Sequence, residues 1–314
     1  MQKRNLGHSD IQIVPLGFGG NVFGWTADEA TSFSLLDALT DAGLDFIDTA
    51  DVYSAWAPGH TGGESETIIG KWFKQSGKRD KVVVATKIGM LKGREGLSAT
   101  NVRAAVEDSL RRLQTDRVDV YFSHKDDLGT PLEETLGAYQ DLIKAGMVRV
   151  IGASNHSAER LVQAARVAQQ HRLPGYEVLQ PEYNLYARAD YEQKLQPTVQ
   201  ELGLGVVTYY SLASGFLTGK YRSEADLNQS PRGSRLGTYF NPRGKRILAA
   251  LDEVGEQHNE KPAAVALAWL IAQPTITAPL ASATSVRQLE SLCAATRLNL
   301  STDDITRLTD ASAY

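Results

Sequence analysis

The feature that most constrains this chain is a repeated alternation. Short apolar runs recur at residues 14–19, 44–48, 81–86, 118–124, 148–154, 177–183, 205–210 and 275–280. Amphipathic helical patterns lie between them, at residues 29–42, 63–75, 99–113, 131–145, 158–170 and 191–202. In the first of these, Phe33, Leu36 and Leu39 share a face and Gly43 ends the helix. Pro131 sits where proline is tolerated, in a first helical turn. Strands that alternate with helices pair in parallel through crossovers, and eight such units close into a (β/α)₈ TIM barrel. An open doubly wound sheet is the alternative. It needs a strand that leads through G-x-G-x-x-G into a helix, and "GFGGNVFG" (17–24) has the glycines without that spacing or helix.

Three segments stand outside the repeat. The N-terminal stretch reads as a β-hairpin turning at Gly7 to Asp10, and the last forty or so residues read as extra C-terminal helices outside the barrel, ending near Ser312. Residues 211–243 form a long segment rich in Gly, Pro, Ser and basic residues, and loops of that length in a compact domain are usually functional. With 314 residues and 42% hydrophobic content the chain has ample core for a single barrel domain spanning 1–314.

Composition narrows the partners. The net charge is −4 and no Lys/Arg-rich run of the kind used against nucleic acid or anionic membrane occurs. No apolar run reaches the roughly 18 residues of a membrane span. The lone Cys293 permits no intramolecular disulfide, and the opening residues carry no apolar leader, so the expectation is a reducing, cytoplasmic setting. No coiled-coil heptads appear, so an oligomer is not evident.

In a barrel enzyme the C-terminal strand ends face the active site. Those ends carry Asp48 and Tyr53, Lys87, His124, Ser154 and Asn155, Gln180, and Tyr209. A free tyrosine has a pKa near 10 and is a poor acid at neutral pH, but a nearby ammonium favours its phenolate. Lys87 supplies that charge, Asp48 pairs with Lys87, His124 orients a substrate oxygen, and Tyr53 gives up its proton. Taken singly, the same residues also fit blander roles: an ion pair between strands, a capping histidine, a loop tyrosine. Their arrival together at successive strand ends favours a site, and one that needs neither a metal nor an activated nucleophile.

From Asn5 to about Arg297 the sequence resembles the aldo-keto reductase superfamily. The resemblance is carried by "GLDFIDTADVY" (43–53), "VVVATKIG" (82–89), "VDVYFSHKDD" (118–127), "IGASN" (151–155), "LQPEYN" (179–184) and "SLASGFLTGKYR" (211–222). It implies a catalytic set of Asp48, Tyr53, Lys87 and His124. It also implies NADPH as cofactor, with NADH possible. The nicotinamide would lie on Tyr209, with Tyr210 as the competing ring, and Ser154, Asn155 and Gln180 would meet its carboxamide. Gly20, Asn21 and Asp48 would border the cofactor. Ser211, Leu212 and Gly215, with Lys220 and Arg222, would meet the pyrophosphate, and Thr284 and Gln288 the adenosine end. There the chain departs from the family pattern: Ser282 stands where Gly or Lys is common, and Ser291-Leu292 where Glu-Asn is. The cation for a 2′-phosphate then falls to Arg287 or to Arg232, Arg235 or Arg243. Trp25, Trp56 and Phe23 would wall the substrate pocket. Asp126 and Asp127 read as caps, and Glu64 and Glu66 as acids at a helix N-terminus. The implied activity is reduction of aldehydes or ketones. Two alternatives stand: an NAD(P)-dependent aldose or sugar-alcohol dehydrogenase, and a non-catalytic nicotinamide sensor.

Overall fold

The computed structural model describes residues 2–229, 233 and 236–314. Eight strands form a closed barrel: β3 (Gly17–Gly19), β4 (Phe46–Asp48), β5 (Val83–Ile88), β6 (Val118–Ser123), β7 (Val148–Ser154), β8 (Val178–Gln180), β9 (Gly205–Thr208) and β10 (Ala278–Ala281). Every neighbouring pair is parallel, and β10 closes the circle by pairing with both β9 and β3. The architecture is the expected (β/α)₈ barrel.

A two-stranded antiparallel hairpin, β1 (Arg4–Asn5) and β2 (Gln12–Ile13), precedes it. Leu6, Ile11 and Ile13 of this hairpin are buried with Phe46, Val120, Phe122, Val178 and Val207, so the hairpin plugs the barrel interior. The plug lies against β9: a side chain at Gly205 would come within 2.5 Å of the Gly7 nitrogen. Inside the barrel, a Cβ at Gly152 would meet the Phe122 ring. The bare backbone of Gly152 is therefore what makes room for that phenylalanine.

Outside run α1 (Glu29–Asp41), α2 (Glu64–Ser76), α3 (Ala99–Leu113), α4 (Leu132–Lys144), α5 (Ala158–His171), α6 (Gln196–Leu202), α7 (Pro242–His258), α8 (Pro262–Ile271), α9 (Val286–Cys293) and α10 (Thr302–Ala311). Their starts are written in the sequence. Asp28, Ser98 and Ser157 accept the third-residue amides of α1, α3 and α5, and Ser301 with Asp304 forms a capping box on α10. In α1 the buried apolar stripe is Leu35, Leu36 and Leu39, each contributing about 1.5–3 kcal/mol by burial; α8 is buried on all sides, and α10 packs on α7.

Several boundaries differ from the sequence reading. Pro131 is the N-cap of α4, with extended backbone, rather than a first-turn residue. Gly63 caps α2 in a left-handed conformation, so that helix starts at Glu64. Residues 191–195 wind as a π turn before α6. The first barrel strand begins at Gly17 because a tight turn from Val14 to Leu16 precedes it. The strand predicted over 177–183 is only Val178–Gln180, and β9 stops at Thr208. The long segment after β9 ends at Asn241, so Arg243 belongs to α7. Among the described residues no helix is long and apolar enough to cross a membrane.

Candidate active site

Asp48 is the last residue of β4 and Lys87 the fifth of β5; parallel pairing sets Asp48 opposite Ala85, two residues before Lys87, so both lie at one end of the barrel. The Lys87 ammonium spends all three donors: 2.6 Å to Asp48 Oδ2, 2.7 Å to the Thr49 carbonyl and 3.1 Å to the Tyr53 hydroxyl. Lys87 is fully buried and Asp48 nearly so. Burial alone would drive the ammonium's pKa down. Asp48 and Tyr53 together outweigh it, and the pKa lies above its ordinary value. Lys87 therefore stays charged, paired as a buried ion must be.

Tyr53 departs from expectation. Its pKa lies above 10, not below. Burial is the largest cause; the pull from Lys87 is opposed by the neighbouring Asp48, which shares that ammonium. Without a ligand the hydroxyl is therefore held protonated, as a proton donor must be.

His124 follows β6, its amide bonded to the Ile88 carbonyl, and its ring lies edge-on to Tyr53 with centroids 6.0 Å apart. Burial, reinforced by Lys87, puts its pKa well below 6.5, so the imidazole is neutral at physiological pH. Its Nδ1 is buried without a hydrogen-bond partner among the described residues.

The polar residues of the next strands are tied into this centre. Gln180 Nε2 donates to the second Asp48 oxygen at 2.8 Å, and Ser154 Oγ donates to the Gln180 carbonyl at 2.9 Å. Asn155, left-handed at φ 55°, donates to the His124 carbonyl and accepts from the Tyr209 hydroxyl at 3.0 Å. Tyr209 lies one residue past β9, bridged to Glu182; burial, then Glu182, pushes its pKa up to about 12. Tyr210 is left-handed and about half exposed, edge-on to Tyr209.

Past it, Ser211 Oγ donates to the Thr208 carbonyl, Leu212 is half-buried, and a short turn follows in which Ser214 and Gly215 are both left-handed. Successive amides in such turns form anion-binding concavities. Lys220 is exposed nearby, its ammonium 4.8 Å from the Tyr221 ring. Arg222 is held by a bidentate pair with Asp252.

At the β10 end, Thr284 donates to Gln288 Oε1 through its amide and hydroxyl, at 2.9 and 3.1 Å. The Ser282 hydroxyl lies 2.7 Å from the Gly19 carbonyl and 2.8 Å from Asn21 Oδ1, stitching β10 to the turn that starts at Gly20. Arg287 is exposed on α9, and Lys261 reaches Ser291 at 3.2 Å, a cation the sequence reading did not single out. Arg243 is elsewhere. Its guanidinium donates to the Tyr186 and Ser312 carbonyls and lies over the Tyr186 and Tyr314 rings, where it anchors the C-terminal residues. Arg232 and Arg235 lie outside the described residues.

Trp25 and Trp56 meet edge-on, 5.8 Å between centroids, and Trp56 packs on Tyr53 at 5.6 Å with nearly half its surface open. Phe23 does not join them: it is fully buried and stacked on Phe18. Asp127 accepts from the Leu97, Gly129 and Thr130 groups, and Asp126 pairs with Arg160, so both are structural. Glu64 binds the Ser54, Thr61 and Gly62 amides, but Glu66 is wholly buried between Thr86 and Arg112. The sequence does not join Asp51 to that buried cluster, because Arg112 arrives from a helix 46 residues from Glu66.

The donor set fits a nicotinamide dinucleotide: an aromatic face, side-chain amides and hydroxyls grouped at one mouth, a left-handed turn suited to phosphate, and the orphaned His124 nitrogen. The sequence comparisons agree. Residues 15–313 match the Aldo/keto reductase family. The chain is 35% identical to "Uncharacterized oxidoreductase YrpG" of Bacillus subtilis (strain 168), covering 99% of this chain and 95% of that protein. It is 35% identical to "Probable voltage-gated potassium channel subunit beta" of Oryza sativa subsp. japonica, over 92% and 89%. It is 34% identical to "Aldo-keto reductase YhdN" of Bacillus subtilis (strain 168), over 94% and 87%. Barrel, strand-end residues and kinship together place the chain in the aldo/keto reductase family, whose members are oxidoreductases that generally use NAD(P)H.

Proposed function

We propose that this protein, acting as one barrel domain over 1–314, reduces aldehyde or ketone groups to alcohols with NADPH. The observation that carries the reading is Lys87, bonded at once to Asp48 and to the Tyr53 hydroxyl. Bound NADPH supplies the hydride. Tyr53 holds the proton that the carbonyl oxygen takes up as its carbon is reduced, and Lys87 stabilises the tyrosinate left behind. Neutral His124 orients the substrate oxygen by hydrogen bonding. Asp48 keeps Lys87 charged and placed, and Gln180 fixes Asp48.

Tyr209 carries the nicotinamide, with Ser154, Asn155 and Gln180 at the carboxamide and Gly20 and Asn21 at the rim. Ser211, Leu212, Gly215, Lys220 and Arg222 serve the pyrophosphate, which Arg222 reaches by leaving Asp252. Thr284 and Gln288 hold the adenosine end, with Arg287 as the cation for a 2′-phosphate. Trp25 and Trp56 wall an apolar substrate pocket.

Tyr53→Phe tests the reading. Carbonyl reduction is expected to fall by about 10²–10⁴-fold while NADPH binding, followed by fluorescence, persists. Unchanged turnover would overturn it. The likeness to a protein named as a channel β subunit supports a second reading, a nicotinamide-binding sensor; it is favoured if cofactor binds tightly and no carbonyl is turned over.

A further inference from the structure

An acid that the proton transfer above does not use lies behind the catalytic group. Asp51 comes three residues after β4, and its amide donates to the Lys87 carbonyl at 3.2 Å. The residue is 1% exposed, and neither carboxylate oxygen has a hydrogen-bond partner among the described residues. The Val52 amide exerts a weak pull without meeting hydrogen-bond geometry. Among the described residues, the titratable or charged groups that face it are Glu66 from α2, Arg112 from α3, Lys87 from β5, Tyr121 from β6 and Tyr139 from α4.

None of them is available to balance a charge on Asp51. Arg112 is bound to Glu66 at 2.6 Å, and Glu66 also takes the Thr86 hydroxyl at 2.5 Å. Lys87 is spent on Asp48, Thr49 and Tyr53. The Tyr121 hydroxyl is itself buried without a partner among the described residues, and the Tyr139 hydroxyl is bonded to Ser123. Burial and then Glu66 push the Asp51 carboxyl up to about 7, against weaker pulls from Arg112 and Lys87.

We propose that Asp51 is a positioning residue for the Tyr53 proton transfer: neutral, it leaves the Lys87 ammonium to the tyrosinate, and ionised, it competes for that ammonium. The inference rests on the reductase reading above. The proton exchanged at Asp51 goes to and from solvent; the proton delivered to substrate comes from Tyr53. Reduction is therefore fastest with Asp51 protonated and slows as pH rises through its titration.

The test compares the wild type with Asp51→Asn, which keeps the shape of the protonated acid. The smaller Asp51→Ser serves as a second variant without a titrating carboxyl. Infrared difference spectra of the cofactor-free protein between about pH 5 and about pH 9 are expected to show a protonated carboxyl that ionises near neutrality in the wild type and is missing from the variants. With NADPH and p-nitrobenzaldehyde, wild-type kcat is expected to fall roughly threefold to tenfold from about pH 6 to about pH 8, and the variants to stay level. An Asp51 ionised across the whole range, or the same fall in the variants, would overturn the inference. A wild type that turns over no carbonyl at all would instead overturn the reductase reading, while the infrared spectra still report the state of Asp51.

Discussion

Gln180 and Lys87 divide Asp48 between them: the Gln180 amide donates to one carboxylate oxygen at 2.8 Å and the Lys87 ammonium to the other at 2.6 Å. A group proposed to meet cofactor and a group proposed to serve the proton donor are thus joined through one buried acid. Gln180→Leu is expected to lower kcat by roughly tenfold and to weaken NADPH binding as well, since Asp48 loses a hydrogen bond to a charged group. Kinetics with a parallel binding titration separate this from a change in one step alone.

Removing the ammonium leaves Asp48 buried without its counter-ion. Lys87→Met is expected to cost about 3–5 kcal/mol of stability, and Lys87→Met with Asp48→Asn to recover much of it. Neither protein is expected to regain turnover, because Tyr53 then lacks a cation. Chemical denaturation and activity assays check the two halves separately.

Asp51 makes a stability prediction independent of catalysis. Its folded pKa, about 7, lies above the usual 3.8, so between those values the folded state binds more protons than the unfolded one. Stability is then lost as pH rises from about 4 to about 7. Asp51→Asn is expected to remove that slope and to be more stable than the wild type above neutrality, by about 1–4 kcal/mol. Melting temperatures across pH decide it; an equal slope in both proteins contradicts the assignment.

His124 is held neutral by burial and by Lys87. Its titration is expected well below the ordinary histidine value of 6.5. Histidine NMR resonances followed from about pH 4 to about pH 8 test this. His124→Ala is expected to lower kcat by about 10–10²-fold without moving the step near neutrality.

Arg287→Ala is expected to weaken NADPH about tenfold, or ~1.4 kcal/mol, and to leave NADH unchanged. Arg243→Ala is expected to leave both affinities alone and to lower stability, since Arg243 holds the Ser312 carbonyl. Fluorescence titrations with each dinucleotide distinguish the two arginines.

Much of this was legible in the chain. The alternation of apolar runs and helical stretches specified the barrel, because each run had to be buried on both faces and each helix on one. Asp48, Lys87 and His124 could be read off strand ends because the barrel sends those ends to a common mouth. What the sequence did not disclose depends on approach from a distance. Arg243 looked like loop chemistry until Asn241 proved to cap α7. Phe23 lay near the right residues in sequence but turns inward onto Phe18. The direction of the Tyr53 shift depends on how far burial outweighs one neighbouring charge, and no spacing of residues encodes that balance.

The seam between β10 and β3 has a consequence for how the chain is made. Ser282 bonds to the Gly19 carbonyl across 263 residues, and β3 has no second strand neighbour until β10 arrives. On the ribosome the first barrel strand therefore emerges with one edge open and waits through most of translation for its partner. Asn21, whose Oδ1 lies 2.8 Å from the Ser282 hydroxyl, gains that bond only then. A nascent chain stalled before Ala278 would carry the whole Asp48–Lys87–Tyr53–His124 group and still lack a closed ring to hold it.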